Sequence, residues 1–405
     1  MIKFGLIKER KTPPDRRVVF SPLKLAAARD AFPEASFLVE SSELRIFPDE
    51  AYRQQGFEVT EDMTSCDVLL GVKEVPLPHL IPNKKYFFFS HTIKKQPYNR
   101  DLLREILKNN IELYDHEVII NKRGGRLIGF GRYAGLVGAY NGFRGIGLKN
   151  GIFELPKAEV LPDLNAMLAE LDKISVPPLK IVLSGNGKVA HGACEILDHL
   201  KIDKVDVDDF LNKDFEGPVY CQIDVLDYNK RIEGGKGTNK EFYKHPEKYK
   251  SDFLRFAQAA DFFIAGHFYG EGAPVFFTAE DARRHDFRIK YVADISCDIN
   301  GPIASTIRPS TIAEPFYGYD ADGEREVDFR EDKAILVMAV DNLPCELPKD
   351  ASEGFGEMFL KHVIPAFFNG DKDGILERAR MTQNGKLTPR FEYLTDYVKG
   401  EEIGI

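Results

Sequence analysis

The stretch LKIVLSGNGKVAHGACEIL, residues 179–197, reads as an apolar strand, a glycine-rich turn and the opening of a helix. Gly185, Gly187 and Ala190 fit G-x-G-x-x-G/A directly after the strand KIVLS. In that frame the first glycine permits a tight turn and the second lets backbone approach a pyrophosphate. The small third residue lets helix and strand pack closely. The diphosphate then sits at the helix N-terminus, where unpaired N–H groups and the helix dipole favour an anion. Gly192 adds a further small contact. About 20 residues on, KVDVDDF reads as the next strand, ending in Asp208 and Asp209. A carboxylate there accepts ribose hydroxyls and repels a 2′-phosphate, which favours NAD over NADP. Lys204 and Lys213 are close enough in sequence to keep NADP open. The plain alternatives are a βα turn without a ligand and an acidic loop.

This unit opens only near residue 180, and the residues before it already make an α/β domain. MIKFGLI, SFLVE, CDVLLGV, KYFFFSH and IELYDHEVII are short β-prone runs. SPLKLAAARDAF reads as a helix with Ser21 as N-cap and Pro22 at its first position. NRDLLREILKNN has helical apolar spacing, with Leu102, Leu103, Ile106 and Leu107 on one side. Strands alternating with helices predict mostly parallel sheets covered on both faces. The proline-free, glycine-dense run 129–151 predicts a long helix that packs closely through its small residues. Strands recur at ADFFIAG, KYVADIS and KAILVMAV, whereas the polar segment 227–252 reads as an irregular surface insertion.

Composition narrows the function classes. The chain has 405 residues, 43% hydrophobic and 29% charged, which suits two domains of an ordinary soluble protein. A net charge of −9 argues against nucleic acid as the main partner. No apolar run approaches the ~18 residues of a membrane span, and the N-terminus lacks a signal-peptide pattern. The five cysteines include no C-x-x-C, and no Cys/His cluster has zinc spacing. The expectation is a cytoplasmic protein with reduced thiols and no metal. Nothing in the sequence fixes an oligomeric state.

The first domain also carries a polar set. Lys73 and Glu74 end one apolar strand, His91 ends the next, and Asp115, His116 and Glu117 end a third. Strand ends are where open α/β sheets bind ligands. Lysine, histidine and glutamate together can exchange protons with a carbonyl or imine when burial tunes them. Arg17 and Arg126 are candidate carboxylate clamps, since a guanidinium fork matches a carboxylate bidentately. Taken singly, each of these residues also reads as an ordinary surface or core group.

These blocks carry a family resemblance. ERKTPPDRRVVFSP resembles the opening of the alanine dehydrogenase superfamily. GVKE, FFFSHTIK, LYDHE and GRLIGFGRYAG resemble lysine-forming saccharopine dehydrogenase, and still more the lysine–ketoglutarate reductase half of bifunctional aminoadipic semialdehyde synthase. LSGNGKVAHGA, EFYKHPEKY, ADISCDINGPI, STIAEPFYGYDADG, VDNLPCELPKDASEGFGEMF and TQNGKLTPRFEYL follow in the same order. The resemblance implies two Rossmann-like domains with a cleft between them. Residues 1–140 and 335–405 would form the substrate domain, with a nucleotide domain at 141–334 inserted in it. It implies Lys73 and His91 as acid–base groups, Glu74 and Glu117 as modulators and substrate contacts, and Arg17 and Arg126 as carboxylate binders. Asp298, rather than Asp294, would sit near the nicotinamide. The implied reaction reduces the imine of lysine and 2-oxoglutarate to saccharopine, with amino-acid and keto-acid substrates. Glu74 follows the single-function enzymes, and the aspartate pair departs from the NADPH usage of the bifunctional ones. An alanine dehydrogenase-like or other opine-forming enzyme is the alternative, and a binding protein without catalysis is a different class.

Overall fold

The structure is a computed structural model, and it describes residues 1–401. The chain divides into two compact units, one of Met1–Phe130 with the segment from Pro348 onward, the other of Gly131–Leu347.

The first unit is built on six strands: β1 (Ile2–Leu6), β2 (Ala35–Glu40), β3 (Glu58–Thr60), β4 (Val68–Lys73), β5 (Lys85–Phe89) and β6 (Glu112–Asp115). Their order is β3-β2-β1-β4-β5-β6, and every pair is parallel. The chain therefore runs outward from β1 to β3 and then crosses to β4, which creates a switch point beside β1. Near-continuous apolar strands suit a sheet covered on both faces. On one of those faces Phe4 stacks on Phe37, its partner in β2, at 5.4 Å and takes the edge of Phe367 at 5.2 Å.

Ser21 caps the Pro22–Ala31 helix by accepting from the Lys24 N–H (3.3 Å), as the sequence predicts. The C-terminal helix Pro348–His362 returns to this unit. Ser352 Oγ accepts from the Val18 N–H at 3.0 Å, and Phe359 sets its ring edge-on to Phe20 at 5.5 Å. A side chain at Gly356 would come within 2.9 Å of the Val19 carbonyl, so this docking needs glycine.

The second unit contains β7 (Lys180–Ser184), β8 (Asp203–Lys204), β9 (Val219–Ile223), the hairpin β10 (Asn229–Arg231) and β11 (Tyr249–Ser251), β12 (Phe262–Ala265), β13 (Tyr291–Asp294), β14 (Phe316–Asp320), β15 (Arg325–Val327) and β16 (Ile335–Met338). The large sheet is ordered β15-β14-β16-β13-β12-β7-β9-β8, parallel from β16 to β8 with an antiparallel edge at β14 and β15.

The long helix is Gly131–Asn150, and its glycines do the packing expected of them. A Cβ on Gly135 would stand 1.9 Å from the Val189 carbonyl, and one on Gly192 2.0 Å from the Arg132 carbonyl. That contact between the Gly131–Asn150 and Lys188–His199 helices places residues 131–140 in the second unit, not with 1–130 as the sequence reading has it. Residues 335–347 belong there too, because β16 pairs with β13 and β14 inside the large sheet.

Two further readings are corrected. KVDVDDF is not a strand through Asp209: β8 ends at Lys204, and Val207–Asn212 is a helix capped by Asp206, which accepts from the Asp209 N–H. The aspartate cap, with Asp208 and Asp209 in the first turn where the helix dipole favours negative charge, outweighs the β-branched pattern here. The 227–252 segment is not irregular. It forms β10, the Asn239–Lys244 helix and β11, and it buries Tyr228, Phe242 and Tyr249 in the core of its unit.

Candidate active site

In the first unit, polar side chains gather at the ends of β4, β5 and β6. Glu74 follows β4 and is largely buried. Its carboxylate pairs with the Lys11 ammonium and lies 3.5 Å from His91 Nδ1. Burial pushes this carboxyl up, but His91 and Lys11 outweigh it and hold it at about 2, so it stays an anion. His91 sits after β5 in a left-handed conformation (φ 55°) and is partly exposed. With Nδ1 turned to Glu74, Nε2 is the ring atom left for proton exchange with a ligand.

Lys73 is the last residue of β4, and its backbone N–H donates to Glu9 (2.8 Å), as does that of Val72 (2.7 Å). Glu9 is a site residue that the motif reading missed. Burial, followed by the Asp15 charge, pushes its carboxyl up to about 8 against the pull of those two N–H groups and Arg17. Its signal was the strand-end rule itself, since Glu9 closes the first apolar run just as Lys73 and His91 close theirs.

Arg17 is buried and directs Nε (3.0 Å) and Nη2 (2.6 Å) at Asp15, with its plane 4.3 Å over the Phe130 ring. Asp15 is pushed up by burial but held at about 2, chiefly by Arg17. A ligand carboxylate at Arg17 would therefore share the guanidinium with Asp15. Arg126 is more than half exposed, and its Nη2 donates to Glu117 Oε1 at 3.2 Å. Glu117 is set in place by Asp115, which accepts from its N–H at 2.7 Å and from the Ser90 N–H at 3.0 Å.

The two histidines of the set differ. His116 is fully buried, its Nε2 lies 2.8 Å from the Gly71 carbonyl, and Phe89 and Phe355 press on it at 5.0 and 5.1 Å. A carbonyl only accepts, so Nε2 carries the proton, and burial holds the ring near 4, neutral at ordinary pH. His116 is a packing group, whereas the His91 ring is partly exposed beside Glu74.

The second unit presents backbone where the first presents side chains. Gly185 has φ 99°, and a Cβ there would come within 2.6 Å of the Gly266 carbonyl. Gly187 is the N-cap of the Lys188–His199 helix, without a side-chain cap, and a Cβ on it would meet nothing within 4 Å. Ala190 is fully buried, with Gly266 packed against it. This bare helix N-terminus, with open space over its second glycine, fits a dinucleotide diphosphate.

Asp208 and Asp209 do not stand at a strand end. They lie in the first turn of the Val207–Asn212 helix, and Asp209 pairs with Lys213 at 2.6 Å. Asp298 lies in the loop after β13, where its carbonyl accepts from the Gly301 N–H (3.0 Å). Asp294, fully buried, accepts from Ser296, Cys297 and Thr306 and holds that loop in shape. Among the described residues no helix is long and apolar enough to cross a membrane, and no group of His, Cys, Asp and Glu could hold a metal ion.

Residues 5–137 match the family model described as alanine dehydrogenase/PNT, N-terminal domain. The chain is 29% identical over 409 residues to mouse mitochondrial alpha-aminoadipic semialdehyde synthase, covering 88% of this chain and 44% of that protein. It therefore spans less than half the length of that relative. It is 24% identical to the saccharopine dehydrogenase [NAD(+), L-lysine-forming] of Yarrowia lipolytica, covering 90% of this chain and 92% of the other. Among solved structures, an L-alanine dehydrogenase superposes with a TM-score of 0.67 at 16% identity, over 98% of this chain and all of that one. That likeness concerns the fold.

Proposed function

We propose that this chain is a nicotinamide-dependent oxidoreductase of the lysine-forming saccharopine dehydrogenase and lysine–ketoglutarate reductase type, within the alanine dehydrogenase superfamily, acting on the C–N bond of an amino acid. The substrate class is saccharopine, or lysine with 2-oxoglutarate in the reverse direction. The observation that carries the reading is the Lys11–Glu74–His91 cluster directly after Lys73, in which an ionised Glu74 holds Lys11 and His91 at the end of β4.

The cofactor would lie with its diphosphate on the glycine turn at Gly185 and Gly187, and when bound it supplies the hydride acceptor or donor. The protein's own residues handle the protons. Oxidation of a secondary amine to an imine and its hydrolysis require a proton to leave nitrogen, water to be deprotonated, and the departing amine to be protonated. His91 Nε2 and the Lys73 ammonium are the exchanging groups. Glu74 keeps the His91 ring oriented through Nδ1 and balances the local positive charge. Arg126 and Arg17 offer guanidinium groups to the substrate's carboxylates, each now holding an internal carboxylate that a ligand would join or displace. Asp298 is proposed as a group near the nicotinamide end.

The test is absorbance at the nicotinamide band, with NADH and NADPH each offered lysine plus 2-oxoglutarate, or ammonia plus pyruvate. Oxidation that needs both lysine and 2-oxoglutarate is the expected result. Oxidation with ammonia and pyruvate alone would move the chain to alanine dehydrogenase chemistry, and silence in every pairing would overturn the reading.

A further inference from the structure

The glycine turn of the second unit is held by more than its own conformation. β9 lies directly beside β7, paired from Lys180 with Val219 through Ser184 with Ile223, and β8 lies outside β9. One more rung follows, because the Gly185 N–H donates to the Ile223 carbonyl at 2.8 Å. In a parallel ladder the Gly185 carbonyl would then accept from the N–H of Val225. That N–H is taken: it donates to Asp224 Oδ1 at 2.8 Å, and β9 has already ended at Ile223. The side chain of Gln222 fills the gap, its Nε2 donating to the Gly185 carbonyl at 2.9 Å.

The chemistry of the neighbours fixes which way the Gln222 amide faces. A carbonyl only accepts, so the amide nitrogen must face Gly185. The amide oxygen faces donors, the Lys204 ammonium at 2.7 Å and the Cys194 thiol at 3.8 Å. Lys204 closes the edge strand β8, so the tie runs from the edge of the sheet through one amide to the glycine turn. On the opposite side the end of β7 is tied to the end of β12. The Gly266 N–H donates to the Ser184 carbonyl at 3.1 Å, and Ser184 Oγ lies 2.8 Å from His267 Nδ1.

The consequence lies in the next peptide. The bond between Gly185 and Asn186 is trans, and in a planar trans peptide the C=O and the following N–H point in opposite directions. With its carbonyl drawn to β9, this peptide turns the Asn186 N–H away from β9 and towards the switch point between β7 and β12. Asn186 is exposed, and Gly187 then opens the Lys188–His199 helix without a side-chain cap. A peptide N–H beside a bare helix N-terminus makes an anion-binding nest. We propose that Gln222, steadied by Lys204, is the positioning residue of this turn, orienting the Asn186 N–H towards the diphosphate of the dinucleotide. The inference rests on the nicotinamide-dependent reading above and applies equally to NADH and NADPH.

Titration of the full-length protein with NADH and NADPH, followed by nicotinamide fluorescence, tests it, with ADP and adenosine as competitors. Gln222→Glu keeps the size of the side chain and an acceptor for Lys204, but sets an oxygen against the Gly185 carbonyl. Affinity for the dinucleotide should fall about tenfold or more, since a hydrogen bond is lost and a repulsion added. ADP should lose affinity by the same factor, whereas adenosine, which has no phosphate, should bind as it does to the wild type. A merely structural role would not divide the two competitors. Gln222→Met removes the donor without adding charge, so it should show the same division with a smaller loss, and it stands in if the first variant folds poorly. Lys204→Met loses only an exposed support for the amide and should cost less than either. Unchanged dinucleotide affinity in both Gln222 variants, or equal losses for ADP and adenosine, would overturn the assignment while leaving the oxidoreductase reading intact. Wild-type protein that binds neither dinucleotide would overturn that reading itself.

Discussion

Both sheets are organised around a central strand, β1 in the first unit and β7 in the second, and both reverse direction beside it. Beyond β1 the chain leads to buried and half-buried charge: Glu9, Lys11, Asp15 and Arg17, facing Lys73, Glu74 and His91 from the neighbouring strands. Beyond β7 it leads to bare backbone at Gly185 and Gly187. The same plan thus yields two kinds of site. Side chains at strand ends can exchange protons, whereas a side-chain-free helix N-terminus can only hold an anion. Under the proposed function the acid–base groups would belong to the first unit and the dinucleotide to the second, and variants that affect one without the other test that division.

The largest separation is expected from Lys73→Met. Turnover should fall by about 10²–10⁴-fold, the range for loss of an acid–base group, while NADH binding to the second unit stays as in the wild type. Normal turnover would remove Lys73 from the mechanism. Within the second unit, the two kinds of glycine should also separate. Gly192→Val forces a side chain against the Arg132 backbone, and urea unfolding should show a loss of about 1–3 kcal/mol or more. Gly187→Ala meets no protein atom, so its stability should hold within about 0.5 kcal/mol. Its affinity for NADH should nonetheless fall, because the methyl group occupies the space over the helix N-terminus. Equal losses of stability in both variants would refute the division.

How much of this was legible follows the same line. The first unit was readable because each strand lies where chain order suggests, so polar residues at successive strand ends do meet. Glu74 lies beside His91 in this way, and Glu9 beside the Lys73 backbone could have been read by the same rule. The second unit was readable only as far as the glycine turn. VYCQI, a buried central strand between the two halves of the count, was not read as a strand, and Asp206 turned the expected one into a helix. Spacing in sequence carried no information about which strand lies beside β7. The insertion looked irregular because its polar composition hid three aromatic residues that anchor it, Tyr228, Phe242 and Tyr249.

A smaller effect is expected from Glu74→Gln. The Glu74 carboxyl sits at about 2 when folded against an ordinary 4.5, so it contributes stability above pH 4.5 that is lost as the pH falls towards 2. The glutamine variant should lack that acid-side loss. Acid unfolding of both proteins measures the difference, and equal acid-side losses would mean that Lys11 and His91 do not hold Glu74 as an anion.

Glu9→Gln should have the smallest effect on activity at neutral pH, yet it probes the first unit's arrangement most directly. Burial raises the Glu9 carboxyl from 4.5 to about 8. A group raised in the folded state favours folding most below its unfolded value, and that contribution is lost as the pH rises through the folded one. The wild type should therefore lose stability steadily between about pH 4.5 and pH 8, and the variant should be flatter over the same window. At pH 5 the variant should be the less stable by about 1–3 kcal/mol, because its amide turns an N–H towards the Lys73 or Val72 N–H that the carboxyl accepts. Towards pH 8.5 the gap should close, as the wild type takes on a buried anion. Thermal unfolding of both proteins across that range measures the two slopes. Parallel curves would mean that Glu9 is not the buried titrating group.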